Sequence, residues 1–106
     1  MNAKIDVQND ALIVFLSGEI DHHSAREIRE EVDLQITSNK PQIFELNFKD
    51  VSFMDSSGIG LIMGRYRLVS AYGGKVIISN VSAYLKRFMR LAGIDSLVEM
   101  KNEKEN

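Results

Sequence analysis

The sequence predicts an α/β fold: a single domain with a mostly parallel sheet of four to five strands, an N-terminal antiparallel hairpin and three helices. Three observations predict it. Stretches with strand-like patterning alternate with stretches of three- and four-residue apolar spacing, an order that calls for right-handed crossovers onto a largely parallel sheet. The first two strand-like stretches are separated by Asn9-Asp10, turn chemistry suited to a hairpin. The chain has 106 residues, 44% of them hydrophobic, which suits one domain with one core and not a disordered chain.

The elements follow in order. Ala3, Ile5 and Val7 alternate with polar residues and predict a half-buried strand. Ala11 to Leu16 is a short apolar run of the buried-strand type. After Ser17-Gly18-Glu19-Ile20-Asp21, the apolar residues Ala25, Ile28, Val32 and Ile36 mark one face of a helix whose other face is charged. Ser24 and Glu27 match a capping box, with Asp21 an alternative cap one turn earlier. Ser38-Asn39-Lys40-Pro41 ends that helix, because a residue before proline avoids the helical region.

Phe44, Leu46 and Phe48 alternate with Glu45 and Asn47 as a third strand, and Val51 to Gly58 reads as a loop rich in capping residues. A second helix carries Ile59, Ile62, Met63, Tyr66 and Val69 on one stripe and stops at Gly73-Gly74. Lys75 to Ser79 is a fourth strand. A third helix starts near Ser82, carries Leu85, Phe88, Met89 and Ala92 inward, and ends at Gly93. Leu97-Val98 is read as a last short strand, so the domain is expected over residues 1–99, with a polar tail over 100–106.

Composition narrows the function. Thirteen basic against fifteen acidic residues give a net charge of −2, without the basic excess of a chain held to nucleic acid by counterion release. The absence of cysteine removes disulfides, thiolate nucleophiles and cysteine-ligated metal sites. The longest apolar run, Ala11 to Leu16, is too short to span a bilayer, and residues 1–6 lack a signal-peptide apolar region. The expectation is a cytoplasmic protein with no membrane or nucleic-acid partner.

The segment richest in chemistry is Asp55-Ser56-Ser57-Gly58, which leaves a strand and opens a helix. The first N–H groups of a helix have no internal partner and the dipole is positive there, so a phosphate placed on a serine would meet free donors. The ordinary alternative is that Asp55 and Ser56 only cap the helix. The glycines tip the balance: Gly58, Gly60 and Gly64 lie in a helical stretch, each costing about 1 kcal/mol relative to alanine. Gly64 is assigned to packing on the sheet, and Gly58 to close approach by a surface from outside.

Other motifs fail. A dinucleotide fingerprint would need glycine where Met63 stands, and Gly73-Gly74-Lys75 is followed by Val76 instead of serine or threonine. In Asp21-His22-His23 the adjacent imidazoles point apart and no third His or Cys completes a metal site. No cofactor or metal is expected. A hydrolase using Ser56 with His22 or His23 lacks the nucleophile-elbow pattern, since Asp55 replaces the preceding glycine.

Ser17-Gly18-Glu19-Ile20-Asp21-His22-His23, then Val51-Ser52-Phe53-Met54-Asp55-Ser56-Ser57-Gly58-Ile59-Gly60 and Gly64-Arg65-Tyr66, resembles the STAS-domain anti-sigma factor antagonists. The likeness runs from the first strand to about Val98. The second serine, where the general-stress branch tends to carry threonine, and the paired histidines lean toward the sporulation sigma-F branch. The chain departs from the pattern at its end: family members usually continue into an amphipathic helix, whereas Glu99 to Asn106 holds one apolar residue, Met100.

The resemblance implies a STAS-like domain that works by binding and is not an enzyme. In that family the unphosphorylated protein binds an anti-sigma factor and so frees the sigma factor for transcription. The anti-sigma factor is also an ATP-dependent serine kinase that modifies the serine directly after the aspartate, here Ser56, and a serine phosphatase resets the system. Helix geometry alone leaves Ser56 and Ser57 equal as acceptors; the resemblance selects Ser56. The expected partner-binding residues are Gly18, Glu19, Asp21, His22, Asp55, Ser56, Ser57, Gly58 and Ile59. Two other functions stay open: a STAS scaffold that binds its partner without phosphorylation, and the small Ser/His hydrolase.

Overall fold

A computed structural model describes residues 2–102. Its elements are β1 (Ala3–Gln8), β2 (Ala11–Ile20), α1 (His22–Asn39), β3 (Ile43–Met54), α2 (Ser56–Ala71), β4 (Lys75–Ser79), α3 (Ala83–Leu91) and β5 (Glu99–Lys101), with a 3₁₀ turn at Ile94–Ser96. The sheet order is β1-β2-β3-β4-β5. The β1–β2 hairpin is antiparallel and every later pair is parallel. Because the parallel strands advance in one direction, right-handed crossovers put all three helices on one face.

That face is the core. Leu12, Val14 and Leu16 of β2 line up with Phe44, Leu46 and Phe48 of β3 and with Val76 and Ile78 of β4, and all are buried. One continuous cluster joins them to Ala25, Ile28, Val32 and Ile36 of α1, Leu61, Ile62 and Val69 of α2, and Leu85 and Met89 of α3. On the opposite face Ser79 Oγ donates to Glu45 Oε2 at 2.7 Å. Lys75 Nζ meets Glu99 Oε1 at 2.6 Å and ties β5 to β4.

Five local readings need correction. The segment after Phe48 is strand, not loop: β3 runs on to Met54. Its pairing with β2 shifts register twice, between Phe15 and Ser17 and again between Gly18 and Glu19 of β2. Each shift gives β3 an extra residue, so its buried positions stop alternating and the period-two signal disappears. The last strand is Glu99–Lys101, not Leu97-Val98, so pairing extends into the segment read as tail. In α2 the fully buried positions are Gly58, Leu61, Ile62, Arg65 and Val69, while Ile59, Met63 and Tyr66 pack half-buried at the margin. Ala92, read as inward, is the exposed C-cap of α3.

The fifth correction concerns the glycines. Gly58 is buried, and a Cβ there would run into the Met54 side chain, with Ile20 Cγ2 at 3.5 Å. The close approach comes from the protein's own sheet. At Gly60 and Gly64 a Cβ would meet nothing within 4 Å. The two kinds of site therefore respond oppositely to alanine. Gly58→Ala should destabilise the fold by about 1–3 kcal/mol through overpacking, whereas Gly60→Ala should stabilise it by about 0.5–1 kcal/mol through helix propensity. Urea unfolding midpoints of the two variants test this, and a Gly58→Ala protein as stable as the parent would contradict the packing account.

Candidate functional site

The site is built where β2 and β3 end. Ile20 pairs with Met54 in parallel register, and the Asp55 N–H donates to the Ile20 carbonyl at 3.1 Å. Each strand is followed by an aspartate that caps a helix: Asp21 for α1 and Asp55 for α2. Two helix N-termini thus open side by side beyond the carboxyl ends of adjacent strands, the position where open α/β sheets place functional groups.

At the first, Asp21 Oδ1 accepts from the His23 and Ser24 N–H groups at 3.0 and 2.9 Å. Ser24 Oγ returns the bond by accepting from the Asp21 N–H at 3.0 Å. The capping box is therefore Asp21–Ser24, not Ser24–Glu27. The Ser24 N–H is the main reason that the Asp21 carboxyl lies below the usual aspartate range; burial opposes it, and the Ser24 hydroxyl, the His23 N–H and His22 add to it. Glu19 is exposed. Gly18 sits at φ +74°, where its Ser17 and Glu19 neighbours are held by the Asn2 side chain, so this glycine meets a backbone demand.

At the second, Asp55 Oδ1 accepts from the Ser57 N–H at 2.8 Å and the Asp55 carbonyl accepts from the Gly58 N–H at 3.0 Å. Two of the donors expected to await a phosphate, the Ser57 and Gly58 N–H groups, are already engaged by Asp55. Ser56 is exposed and Ser57 half-buried. Ser57 lines a groove of about 330 Å³ between α1 and α2, together with His22, Arg26, Arg29 and Gly60. Ser56 stands outside that groove at the tip of α2.

The two histidines do not act as a pair. Their rings meet edge to face at 6.5 Å, and His23 Nε2 lies 3.5 Å from Glu27 on the helix surface. Among the described residues neither imidazole hydrogen-bonds Ser56 or Ser57. The structure thus gathers Asp21, His22, Asp55, Ser56 and Ser57 at one edge, places Ile59 half-buried beside them, and puts Gly58 beneath the surface.

Sequence reading missed Arg65. It is 5% exposed, and its Nε lies 2.9 Å from Asp33 Oδ1, bridging α2 to α1. Burial pushes the Arg65 guanidinium below its usual range and the Asp33 carboxyl above its own, each charge opposing the other's shift. The signal was available, because Arg65 falls four residues after Leu61 and four before Val69 on the inward stripe.

Residues 2–106 match the STAS domain family. The chain belongs to that family. It is 33% identical over 108 residues to the anti-sigma F factor antagonist of Paenibacillus polymyxa, covering 100% of this chain and 92% of the relative. The fold superposes with a TM-score of 0.85 on the anti-sigma factor antagonist SpoIIAA in its unphosphorylated form, 31% identical, covering 97% of this chain and 89% of that one. It also matches the Bacillus cell fate determinant SpoIIAA in the phosphorylated form, with TM-score 0.79 and 31% identity over 97% of this chain and 92% of that one. In this STAS domain, no helix among the described residues is long and apolar enough to cross a membrane.

The Asp21 cap gives this STAS domain a specific acid response. Its carboxyl titrates below the unfolded value, so its stabilisation is complete above about pH 4 and is lost as pH falls through the folded value. Asn also caps well but does not titrate. Thermal melts of the parent and Asp21→Asn should therefore converge as pH falls below about 4, with the parent losing more; parallel acid limbs would remove the cap from the account.

Proposed function

We propose that this STAS domain is an anti-sigma factor antagonist that acts in the cytoplasm by partner switching. Unphosphorylated, it binds an anti-sigma factor and thereby frees the sigma factor. The same anti-sigma factor is an ATP-dependent serine kinase, Ser56 is its acceptor, and a serine phosphatase restores the binding form. The domain itself catalyses nothing. Gly18, Glu19, Asp21, His22, Asp55, Ser56, Ser57, Gly58 and Ile59 form the proposed contact region, Gly18 through the backbone geometry it allows and Gly58 through the close packing of α2 on Met54.

The observation that carries this reading is the exposed Ser56 hydroxyl, set directly after the Asp55 cap and beside the Asp21 cap. The comparison with an antagonist solved in both phosphorylation states supports it. Exposure favours Ser56 over Ser57, which is half-buried against the α1–α2 groove.

The proposed switch is electrostatic. A phosphate adds about −1.5 to −2 charges at neutral pH, roughly doubling the charge of a chain at −2 and concentrating it at one helix tip. With Asp55 already holding the Ser57 and Gly58 N–H groups, the phosphate is proposed to project outward next to a carboxylate. A partner surface seated on this tip then meets an unpaired dianion, at a cost of several kcal/mol. The fold need not change.

Ser56→Asp should weaken binding to the anti-sigma factor by about a hundredfold or more, while Ser56→Ala should bind like the parent but accept no phosphate. Calorimetric titration reads the first. Phosphopeptide mass spectrometry after incubation with the kinase and ATP reads the second. Equal affinity of the two variants, or label confined to Ser57, would refute the proposal.

A further inference from the structure

β1 is an edge strand. It pairs with β2 on one side, and among the described residues no strand lies on its other side. The Ser17 N–H donates to the Asn2 carbonyl at 2.8 Å, and these two residues stand opposite each other in the register that pairs Ala3 with Leu16. In an antiparallel ladder hydrogen-bonded pairs alternate with non-bonded ones, so Lys4, Asp6 and Gln8 turn their backbone groups toward β2. The two-residue turn Asn9-Asp10, closed by Gln8 opposite Ala11, has the same phase. The N–H and C=O groups of Ala3, Ile5 and Val7 therefore point away from the sheet, a row of donors and acceptors open to a further strand.

The side chains of this edge carry a matching pattern. Ala3 and Ile5 pack against the core, whereas Lys4 is exposed on the outer face of the sheet and Asp6 is half-buried beside it. Lys4 has no ion-pair partner among the described residues, and Asp6 Oδ2 accepts from the Gln8 amide at 2.6 Å. Both border an open depression of about 540 Å³, together with Ile5, Phe15 and Asp50. Charge usually protects an edge strand from pairing. Here it selects one register. Two copies of β1 laid antiparallel about Ile5 set Ile5 against Ile5, Ala3 against Val7, and Lys4 against Asp6 on both sides of the two-fold axis. The outward groups of Ala3, Ile5 and Val7 then meet one another, and the Lys4–Asp6 pairs fall at the closer, non-hydrogen-bonded positions. Sliding one copy by two residues sets Asp6 against Asp6 in one direction and Lys4 against Lys4 in the other, and opposed like charges destabilise a ladder.

We propose that the β1 edge is a self-docking surface: two copies of this chain join by antiparallel β1 pairing about Ile5, fixed by reciprocal Lys4–Asp6 ion pairs. The occupant is a second copy because the edge complements itself in both charge and backbone phase. The two-fold axis stands perpendicular to the joined sheets, so the helices of both copies lie on one face and the two Ser56 edges point in opposite directions. Edge pairing and modification of Ser56 are therefore independent, and neither proposal rests on the other. The strand offers six residues a side, against about 20–30 in a standard interface, so the dimer is weak and forms at high concentration. An extended segment of another protein could use the same backbone groups, but it would not depend on both charges of this edge.

Sedimentation equilibrium of the full chain between about 10 µM and about 1 mM tests the proposal. The parent should pass from monomer to dimer over this range, and added salt should weaken the dimer. Lys4→Asp and Asp6→Lys should each weaken association by about tenfold or more, because each sets like charges opposite one another. Mixed in equal amounts, the two variants should associate as the parent does, since each supplies the charge that the other edge lacks. The double exchange Lys4→Asp/Asp6→Lys should restore the dimer for the same reason, which separates lost docking from a folding defect. Ser56→Asp should associate like the parent. A parent that stays monomeric at about 1 mM would overturn the proposal. So would single variants that associate like the parent, or a mixture and a double exchange that both stay monomeric.

Discussion

The architecture of the functional edge depends on one registration: the ends of β2 and β3 brought level, with Ile20 opposite Met54 and the Asp55 N–H bonded to the Ile20 carbonyl. Without the two register shifts along this strand pair, Asp21 and Asp55 would cap their helices at different heights. With them, two capped N-termini open together, and the exposed hydroxyl of Ser56 stands on a surface that two rigid elements define. Rigidity matters because a charge switch discriminates only if the partner meets a fixed geometry.

The two aspartates have comparable local roles and different consequences. Asp21 closes a reciprocal box with Ser24 and so fixes the entry into α1. Asp55 takes the Ser57 N–H with its carboxylate and the Gly58 N–H with its carbonyl, leaving the α2 tip already occupied by negative charge. A helix N-terminus in general attracts phosphate; at this one the cap already takes the Ser57 and Gly58 N–H groups. On the proposed function, a phosphate on Ser56 would stand beside the Asp55 carboxylate as an obstacle to the partner.

Below the surface, Gly58 and Met54 set how closely α2 lies on the sheet, and the Arg65–Asp33 pair sets how α2 meets α1. A pair with one partner buried and the other half-buried is a weak source of net stability but costly to break by removing only the partner of the buried charge. Both contacts hold α2, one against the end of β3 and the other against α1. The same Met54 side chain also lines a groove with Tyr84, Phe88 and Leu91 of α3, so packing of the core and shape of the outer surface share an atom group.

The order of strands and helices, the helix starts at Asp55 and Ser82, and the place of Ser56 in the first turn of α2 were legible from the chain alone, because each depends on periodicity or on residue chemistry within a few positions. Ala25, Ile28, Val32 and Ile36 announced α1 by spacing, and all four are buried. Aspartate before serine announced a helix start. What local pattern could not decide was set by pairing at long range. The continuation of β3 through Val51 to Met54 depends on hydrogen bonds to β2 and on register shifts that erase alternation. The reason for Gly58 depends on a methionine four residues earlier folding back beneath it, and the burial of Arg65 on an aspartate of another helix. Residue types fix what a segment can do; only the packed neighbours, absent from any local window, fix which way it faces.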